Sequence, residues 1–391
     1  MREALQTDRN RVDAAVLRGT LALDRERTTA RFLLDELRTG RRKWSELTRS
    51  ERRLVEGAPL VEYLLSRSFE LRYNDPEAMI QFAEAARLVV ERVDPRRYGR
   101  RVLSDLRARV WAELGNAYRV ADDLKAAEVA FGQAVRWLFS GTGSRRVIVR
   151  VAELAARLFA DQRRLPEAAG LLDWVSSYYA NQGNSAELGQ TLVSRGLIAE
   201  YGDEPELAIV YLARGLRLIG PEKTESGLRL AAVHALVNNL IEAGHCEAAR
   251  GLLEKNHRLY HRTGKLNKLR LHWLKGRIAH GLGELGRAEA DFHVARLGFK
   301  RVEKGYDAAL VSLDLALLYA RQGKRIATLR LVDEMIGTFR NLGIAREAIA
   351  SLLLLRRTCE DTGAAPDVLA AQIRTIASLV AELQRHRAGT R

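Results

Sequence analysis

Apolar residues recur at helical spacing along almost the whole chain. In residues 106–138 they return every three or four positions, which is typical of amphipathic helices. The chain has only 7 prolines and no long β-branched run, so an all-β structure is not expected. The pattern therefore predicts an all-α protein.

A unit of about forty residues repeats. Six equivalent positions, called anchors here, follow one another at steps of 41, 40, 41, 39 and 40 residues. The anchors are Gly115, Ala156, Gly196, Val237, Gly276 and Ala316. Twelve residues after each anchor comes a small residue, namely Ala127, Ala168, Ala208, Ala249, Ala288 or Thr328. Four residues further on comes a larger apolar residue, namely Phe131, Leu172, Leu212, Leu253, Phe292 or Val332. Constant offsets predict the same helical hairpin each time, stacked because one hairpin cannot bury its own apolar face.

Weaker units flank these six. Upstream, Ser66, Phe69, Ala78 and Phe82 keep the same offsets, followed by a longer connection over 94–101. Downstream, 345–362 and 366–385 are interpreted as a last helix pair. The prediction is about eight hairpins over residues 58–386, followed by a tail at 387–391. Prolines should open the second helix of a hairpin, where a missing N–H is tolerated; they are Pro76, Pro166, Pro205 and Pro366. Turn residues at 181–184 and 220–221 mark gaps between hairpins.

One repeat carries a familiar spacing. Trp111, Leu114, Gly115 and Tyr118 form a W-x2-L-G-x2-Y pattern, with an alanine and an aromatic residue at the expected later offsets. This resembles the tetratricopeptide repeat (TPR) family. The resemblance implies a right-handed α-α superhelix, a TPR-like solenoid. The period exceeds the usual 34 residues, which indicates longer helices and is similar to the TPR portions of some bacterial regulators.

Residues 1–57 lack the repeat. Helical periodicity runs through 8–37, as one helix or as two, and is followed by basic residues at 38–43. Thr48 and Glu51 have the spacing of a capping box that opens another helix. Three interpretations stay open for this region: capping helices for the solenoid, an element that docks a partner, or a DNA reader.

The charge leaves two interpretations open. The formal net charge is +15, from 64 Lys and Arg against 49 Asp and Glu. Such a balance suits a nucleic-acid, anionic-lipid or acidic protein partner. It is equally explained by arginine-rich usage on solvated helices, since the two signs are interspersed.

Other features of the sequence predict the cellular compartment of the protein. No window approaches the roughly 20 apolar residues that span a bilayer, and residues 1–11 are charged and lack a signal-peptide core. Two cysteines, Cys246 and Cys359, cannot form a disulfide framework or a cysteine-rich zinc site. A cytoplasmic protein without membrane partners is expected.

Catalytic signals are scarce. The G-x-G-x-x-G letters at 281–286 fall at a turn inside a repeat and do not follow a strand, so a dinucleotide site is not expected. His257 and His261 have metal-compatible spacing but lie among lysines and arginines. His245 and Cys246 are interpreted as an ordinary turn with a half-buried thiol. We expect no enzyme, no cofactor and no metal.

The TPR resemblance implies that the first helix of each hairpin lines a concave groove that holds a peptide. The positions two, three and six before each anchor, and one, four and five after it, should face that groove. The expected binding residues are Arg109, Glu113, Asn116, Arg119, Arg150, Glu153, Arg157, Glu200, Tyr201, His234, Asn238, Arg270, Trp273, Arg277 and His280. Asp161, Glu242, Asp314 and Arg321 occupy the same set of positions. Amides can pair with a peptide N–H and C=O at once, and arginines can hold carboxylates bidentately.

These observations predict a non-enzymatic interaction scaffold or adaptor in a regulatory assembly, which binds a peptide or a partner segment, with an acidic one among the alternatives. One alternative is a TPR-type regulator that also binds nucleic acid through its basic N-terminal region. Another is the regulatory subunit of a separately encoded effector, such as a protease or a defence system.

Overall fold

The computed structural model describes residues 2–72, 75–220, 226–262, 264–341, 352, 355–356, 359 and 365–387. Within these ranges the regular structure is helical and contains no strand, which confirms the all-α prediction. Two compact units divide the chain, one up to Tyr178 and one over Tyr179–Arg387.

Helices α1 to α8 and most of α9 lie in the first unit. They are α1 (Arg2–Arg38), α2 (Arg49–Val55), α3 (Ala58–Leu71), α4 (Pro76–Val90), α5 (Pro95–Tyr98), α6 (Arg100–Val120), α7 (Leu124–Phe139), α8 (Arg145–Asp161) and α9 (Leu165–Asn181). A 3-10 helix at Trp44–Glu46 lies between α1 and α2. The hairpins are α3/α4, α6/α7 and α8/α9.

Helices α10 to α18 belong to the second unit. They are α10 (Ser185–Tyr201), α11 (Pro205–Ile219), α12 (Ser226–Glu242), α13 (Cys246–Arg262), α14 (Lys265–Gly281), α15 (Leu285–Arg301), α16 (Gly305–Arg321), α17 (Arg325–Asn341) and α18 (Pro366–Arg387). The hairpins are α10/α11, α12/α13, α14/α15 and α16/α17. The helix expected over 345–362 lies outside the described residues apart from a few positions, whereas α18 confirms the final predicted helix.

The turn inside each hairpin shows that the repeat is present in the structure as well as in the sequence. Every anchor stands five residues before the end of its first helix, and the second helix begins nine residues after the anchor. The residue seven after the anchor always has a positive φ, between 60° and 78°. These six residues are Asp122, Arg163, Asp203, Gly244, Gly283 and Gly323. The predicted solenoid of near-identical hairpins is therefore confirmed.

Size complementarity explains the anchors. A Cβ atom on Gly276 would lie 2.6 Å from the ring of Phe292, and one on Gly196 would lie 2.6 Å from Leu212 Cγ. Where the anchor is alanine or valine, its partner sixteen residues later is aliphatic. All six residues twelve after the anchors are 0% exposed, which lets the two helices of a hairpin approach closely.

The four prolines lie where the sequence predicts them, and the turn residues at 181–184 lie at the junction between α9 and α10, whereas residue 221 of the other predicted turn lies outside the described residues. Pro76, Pro205 and Pro366 are the first residues of their helices, and Pro166 is the second residue of α9. The long connection expected over 94–101 contains the short helix α5, which ends at Gly99 with φ 85°. No described helix is both long and apolar enough to cross a membrane.

The N-terminal region packs on the first hairpins. Helix α1 is one continuous helix and contacts α2, α3, α5 and α6. It passes so close to α5 that a Cβ on Gly19 would lie 1.9 Å from the Tyr98 carbonyl oxygen. Leu23 joins the core with Val61 and Leu106. These contacts suit capping helices, the first of the three interpretations.

The capping box that opens α2 is confirmed. Thr48 Oγ1 accepts from the Glu51 N–H, and the Glu51 carboxylate accepts from the Thr48 N–H at 2.8 Å. The hydrogen bonds that the Glu51 carboxylate accepts from the Thr48 N–H and from the Thr48 hydroxyl lower the pKa of Glu51, with Arg42 adding to the effect. Two helix N–H groups are satisfied in this way at the entry to the helix.

Candidate partner-binding face

The first helices of successive hairpins contact one another within each unit. In the first unit α3 contacts α6 and α6 contacts α8; in the second unit α10, α12, α14 and α16 follow in order. Because the repeat register is constant, equivalent side chains on neighbouring first helices come side by side. We call the polar side chains predicted for the groove, together with the partners they pair with here, the first-helix face.

In the first unit this face is a chain of ion pairs between helices. Arg109 of α6 reaches Glu62 of α3 at 2.9 Å, and Arg150 of α8 reaches Glu113 of α6 at 2.8 Å. Arg119 of α6 donates to Asp161 of α8 at 2.6 Å. Each pair joins hairpins rather than residues of one helix, so the predicted residues fix the register of the stack.

Two predicted residues of this unit are buried. Asn116 is 1% exposed and Glu113 is 6% exposed. Asn116 Oδ1 accepts from Arg119 Nε at 3.1 Å, but its Nδ2 atom is buried without a hydrogen-bond partner. A buried amide donor without an acceptor costs free energy, so Asn116 Nδ2 marks an incomplete position in the network.

Arg157 of α8 differs from Arg109, Arg119 and Arg150, which pair with carboxylates. It is exposed to solvent and forms no hydrogen bond or ion pair with any described residue. Glu153, half-buried on the same helix, is 3.6 Å from Arg150 instead. Protein atoms surround Arg157 closely enough for desolvation to lower its pKa, and the nearby Arg119 and Arg150 charges add to the effect.

In the second unit Arg277 of α14 is the centre of a corresponding network. It donates to Asn238 Oδ1 of α12 at 2.9 Å and to the Glu242 carboxylate. Asp314 of α16 lies 3.9 Å away on its other side. Burial opposes the charged form of Arg277, but these carboxylates outweigh it and raise its pKa.

Trp273 links α14 to α16. Its Nε1–H donates to Asp314 at 2.6 Å, and its ring meets Phe299 edge to face. Burial raises the pKa of Asp314, while Arg277 and the indole N–H act in the opposite direction. Trp273 is thus half-buried between hairpins and presents only part of its ring to a ligand.

Two histidines of the face are held neutral. Burial lowers the pKa of His234 to about 4, assisted by Arg270 and Arg277. Burial also lowers the pKa of His280 to about 4, assisted by Arg321 and Arg277. The neutral His280 Nε2 lies 3.2 Å from Arg321 Nη1 and can accept from it, and Tyr260 Oη lies 3.4 Å from His234 Nδ1.

The remaining predicted residues are the more accessible ones. Arg270 is exposed and donates to Asn267 at 3.2 Å. Tyr201 is 37% exposed at the end of α10, and Glu200 beside it is half-buried. Tyr201 is therefore the aromatic side chain of the face that offers most surface to a partner.

The sequence pattern missed part of this network. Glu62 accepts from Arg109 and also from Arg27 of α1 at 2.5 Å and 2.6 Å. Glu62 lies in the weak upstream repeat, four residues before Ser66, and this position is outside the set expected to face the groove, so the repeat arithmetic does not select it. No sequence signal pointed to Arg27, because α1 is outside the repeat.

Residues considered for other chemistry have ordinary surroundings. His257 and His261 are exposed on α13 with ring centroids 6.1 Å apart. Cys246 is 6% exposed as the first residue of α13, so the thiol is buried and not half-buried in a turn as predicted; a Cβ on Gly281 would lie 2.3 Å from its sulfur. Within the described ranges, no three His, Cys, Asp or Glu side chains are grouped so that they could hold a metal ion.

This fold and face define an all-α solenoid of the tetratricopeptide type. The chain is similar in structure to a Rap protein solved in complex with Competence and Sporulation Factor, with a TM-score of 0.59, 13% identity, and coverage of 85% of this chain and 89% of that one. The apo form of RapI gives a TM-score of 0.61, 13% identity, and coverage of 83% and 87%.

A third similar structure is aspartyl phosphate phosphatase F from Bacillus subtilis, with a TM-score of 0.51, 15% identity and coverage of 79% of each chain. At these identities the likeness concerns the fold. No family model matches the sequence, and no curated protein matches it.

Proposed function

We propose that this protein is a non-enzymatic scaffold or adaptor that binds a peptide or a segment of a partner protein on its first-helix face. The observation that carries the proposal is the concentration of half-exposed arginine, histidine, aromatic and carboxylate groups on that face, in a register fixed by pairs such as Arg150 with Glu113. Side chains held in place lose little conformational entropy on binding, which favours recognition.

The fold comparison supports the same class of function. One similar structure is that of a Rap protein in complex with a factor, so a solenoid of this kind can carry a bound partner. For this chain we propose a regulatory assembly in which the solenoid recognises a segment and connects it to another protein. A cytoplasmic setting is part of the same proposal.

A peptide selection tests the proposal. A random dodecapeptide library on phage is selected on the immobilised full-length chain, and enriched peptides are synthesised and titrated by fluorescence anisotropy. Tyr201→Ala and Arg270→Ala should each weaken binding by roughly tenfold or more, because exposed aromatic and arginine side chains are typical hot spots. Val210→Ala is the control, since Val210 is 62% exposed on the second helix of the same hairpin as Tyr201.

The outcome is decisive in both directions. Peptides that lose affinity with the two face variants and keep it with Val210→Ala support the proposal. Failure to enrich any peptide, or enriched peptides that bind all three variants as well as the unchanged chain, would contradict it.

A further inference from the structure

The end of α7 carries the most exposed large hydrophobic side chain among the described residues. Phe139, the last residue of α7, is 87% exposed, and its ring contacts no other ring or cation of the described chain. Trp137, two residues earlier, is instead covered by Arg107, whose Cζ lies 4.7 Å from the ring centroid. A single exposed apolar residue is ordinary on a protein surface, so the surroundings of Phe139 decide what it can bind.

Those surroundings are basic. Arg136 lies one turn before Phe139, and Arg145 and Arg146 open α8 after a short connection. The three arginines are exposed, and their side chains form no hydrogen bond or ion pair with a described residue. No aspartate or glutamate occurs in residues 129–152. Phe139 therefore lies among cations that the same stretch of chain does not neutralise.

A buried carboxylate of α6 fixes this connection. Asp105 is 8% exposed and accepts from the Thr142 N–H at 3.1 Å and from the Thr142 hydroxyl. It lies so close that a Cβ on Gly141 would be 2.1 Å from its Oδ1 atom. The Thr142 hydroxyl oxygen also accepts from the Ser144 N–H at 3.2 Å. The side chains on both sides of the connection are thus presented by a fixed backbone, which reduces the entropy lost on binding.

A second basic connection lies beside the first. The chain between α4 and α6 contains four exposed arginines whose side chains have no partner among the described residues, namely Arg92, Arg96, Arg100 and Arg101. Arg107 joins the two connections, because it lies 2.9 Å from Glu91 at the end of α4 and covers Trp137 near the end of α7. The acidic residues of this connection are engaged, since Glu91 pairs with Arg107 and Asp94 accepts from the N–H of residue 96 at 2.8 Å.

Helix dipoles do not account for this positive charge. Connections between hairpins lie on one edge of a stack and the turns inside hairpins lie on the other, and each edge has as many helix starts as helix ends. The connections at 91–101 and 136–146 contain eight arginines and two acidic residues. The turns at 121–128 and 161–167 contain three basic and five acidic residues. The first unit therefore has one positive edge, which the fold itself does not require.

We propose that this edge binds single-stranded nucleic acid, with a base stacked on Phe139 and phosphates on the arginines of the two connections. Cations distributed along an edge suit a polyanion whose charges repeat along its length, and an exposed aromatic ring stacks on any base. A single strand is required because the bases of a duplex are already stacked and paired. This activity is separate from peptide binding on the first-helix face and does not depend on it.

Fluorescence anisotropy of labelled oligothymidylate and oligouridylate, titrated with the full-length chain between about 50 and about 200 mM salt, tests the proposal. Each phosphate contact contributes about 0.7 to the slope of log affinity against log salt, so the double variant Arg145→Gln/Arg146→Gln should lower the slope by roughly 1.4. Lys125→Gln is the matched control, because Lys125 is exposed at the opposite end of α7, about 20 Å from Phe139, and should leave the slope unchanged.

Substitutions at Phe139 separate stacking from simple apolar contact. Phe139→Ala should weaken binding roughly 5- to 100-fold, the range of one lost base stack. Phe139→Leu should weaken it to a similar extent, since leucine is apolar but not planar, whereas Phe139→Trp should retain affinity. Val129→Ala is the control, because Val129 is 66% exposed on the same helix. Circular dichroism of each variant confirms that the helices are retained.

Salt-dependent binding of either oligonucleotide that falls with Phe139→Leu and with the arginine double variant supports the proposal. No binding at about 50 mM salt, unchanged binding by both variants, or equally tight binding of a duplex would overturn it. Polyglutamate or phosphatidylserine vesicles that bind as tightly as the oligonucleotides and respond to the same arginine variant would also overturn it, in favour of an acidic protein or a bilayer. None of these outcomes bears on peptide binding at the first-helix face.

Discussion

Gly276→Ala should destabilise the protein although alanine is the better helix former. A Cβ atom at this anchor would lie 2.6 Å from Phe292 Cδ1 and 2.7 Å from Cε1, where ordinary contacts measure 3.4–4 Å. Phe292 is 0% exposed, so its ring cannot turn into solvent. The added methyl group must therefore push the two helices of the hairpin apart.

The magnitude follows from two opposing effects. Overpacking of a tight core costs about 1–3 kcal/mol, whereas replacing a mid-helix glycine with alanine gains about 1 kcal/mol. Gly251 in α13 isolates the second effect, because no heavy atom lies within 4 Å of its built Cβ beyond its own helix backbone and chain neighbours. The free energy of unfolding should thus differ between the two alanine variants by about 1–3 kcal/mol, with Gly276→Ala the less stable.

Urea unfolding followed by circular dichroism measures this difference. The double variant Gly276→Ala/Phe292→Leu should be more stable than the sum of its single changes, because the smaller side chain makes room for the methyl group. The account of the anchors would be refuted if Gly276→Ala were as stabilising as Gly251→Ala, or if the double variant were simply additive.

Three further predictions concern other parts of the molecule. Lowering the pH from about 6.5 to about 4 should reduce the free energy of unfolding, because the unfolded chain binds protons at His234 and His280 that the folded chain does not accept until the pH reaches their pKa of about 4. At 1.36 kcal/mol per pKa unit, the largest loss is about 3 kcal/mol for each ring before solvent screening. His234→Gln should flatten this pH profile, whereas His257→Gln, at an exposed ring, should not. Thr48→Ala should cost about 1 kcal/mol at the start of α2, seen as faster hydrogen exchange at residues 50–52, while Ser45→Ala serves as the control; equal exchange in both would contradict the capping box. The thiols of Cys246 and Cys359 should react slowly with a disulfide reagent in the folded protein and quickly in urea, since both are buried; rapid labelling of the folded chain would contradict their placement.

Much of the fold can be predicted from the sequence because the same residue spacing recurs in six repeats. A constant offset from Gly115 to Phe131 has one simple cause, the same contact made in every hairpin, so six copies predict the order of helical hairpins along the chain. The left-handed turn residue seven after each anchor carries an uneven signal. Gly244, Gly283 and Gly323 are typical of a positive φ, whereas Asp122, Arg163 and Asp203 stand at the same position in the other three hairpins, and the residue type of Arg163 does not indicate a positive φ.

The repeat register predicts which polar residues share the first-helix face but not whether each of them is buried or paired. The repeat register places Arg119, Arg157 and Arg277 on one side of their helices, yet it does not say which of them finds a carboxylate. That depends on side chains about forty residues away in the neighbouring hairpins, such as Asp161 for Arg119. Burial of Asn116 has the same origin, since it depends on how closely α6 and its neighbours pack.

Photo-crosslinking tests most directly whether the first-helix face binds a partner. Benzoylphenylalanine is introduced in place of Tyr201 on α10 or of Val210 on α11, both exposed in the same hairpin, and a library-selected peptide is irradiated with each protein. The account predicts covalent capture from position 201 and none above background from position 210. Capture from position 210 alone, or equally from both positions, would contradict it.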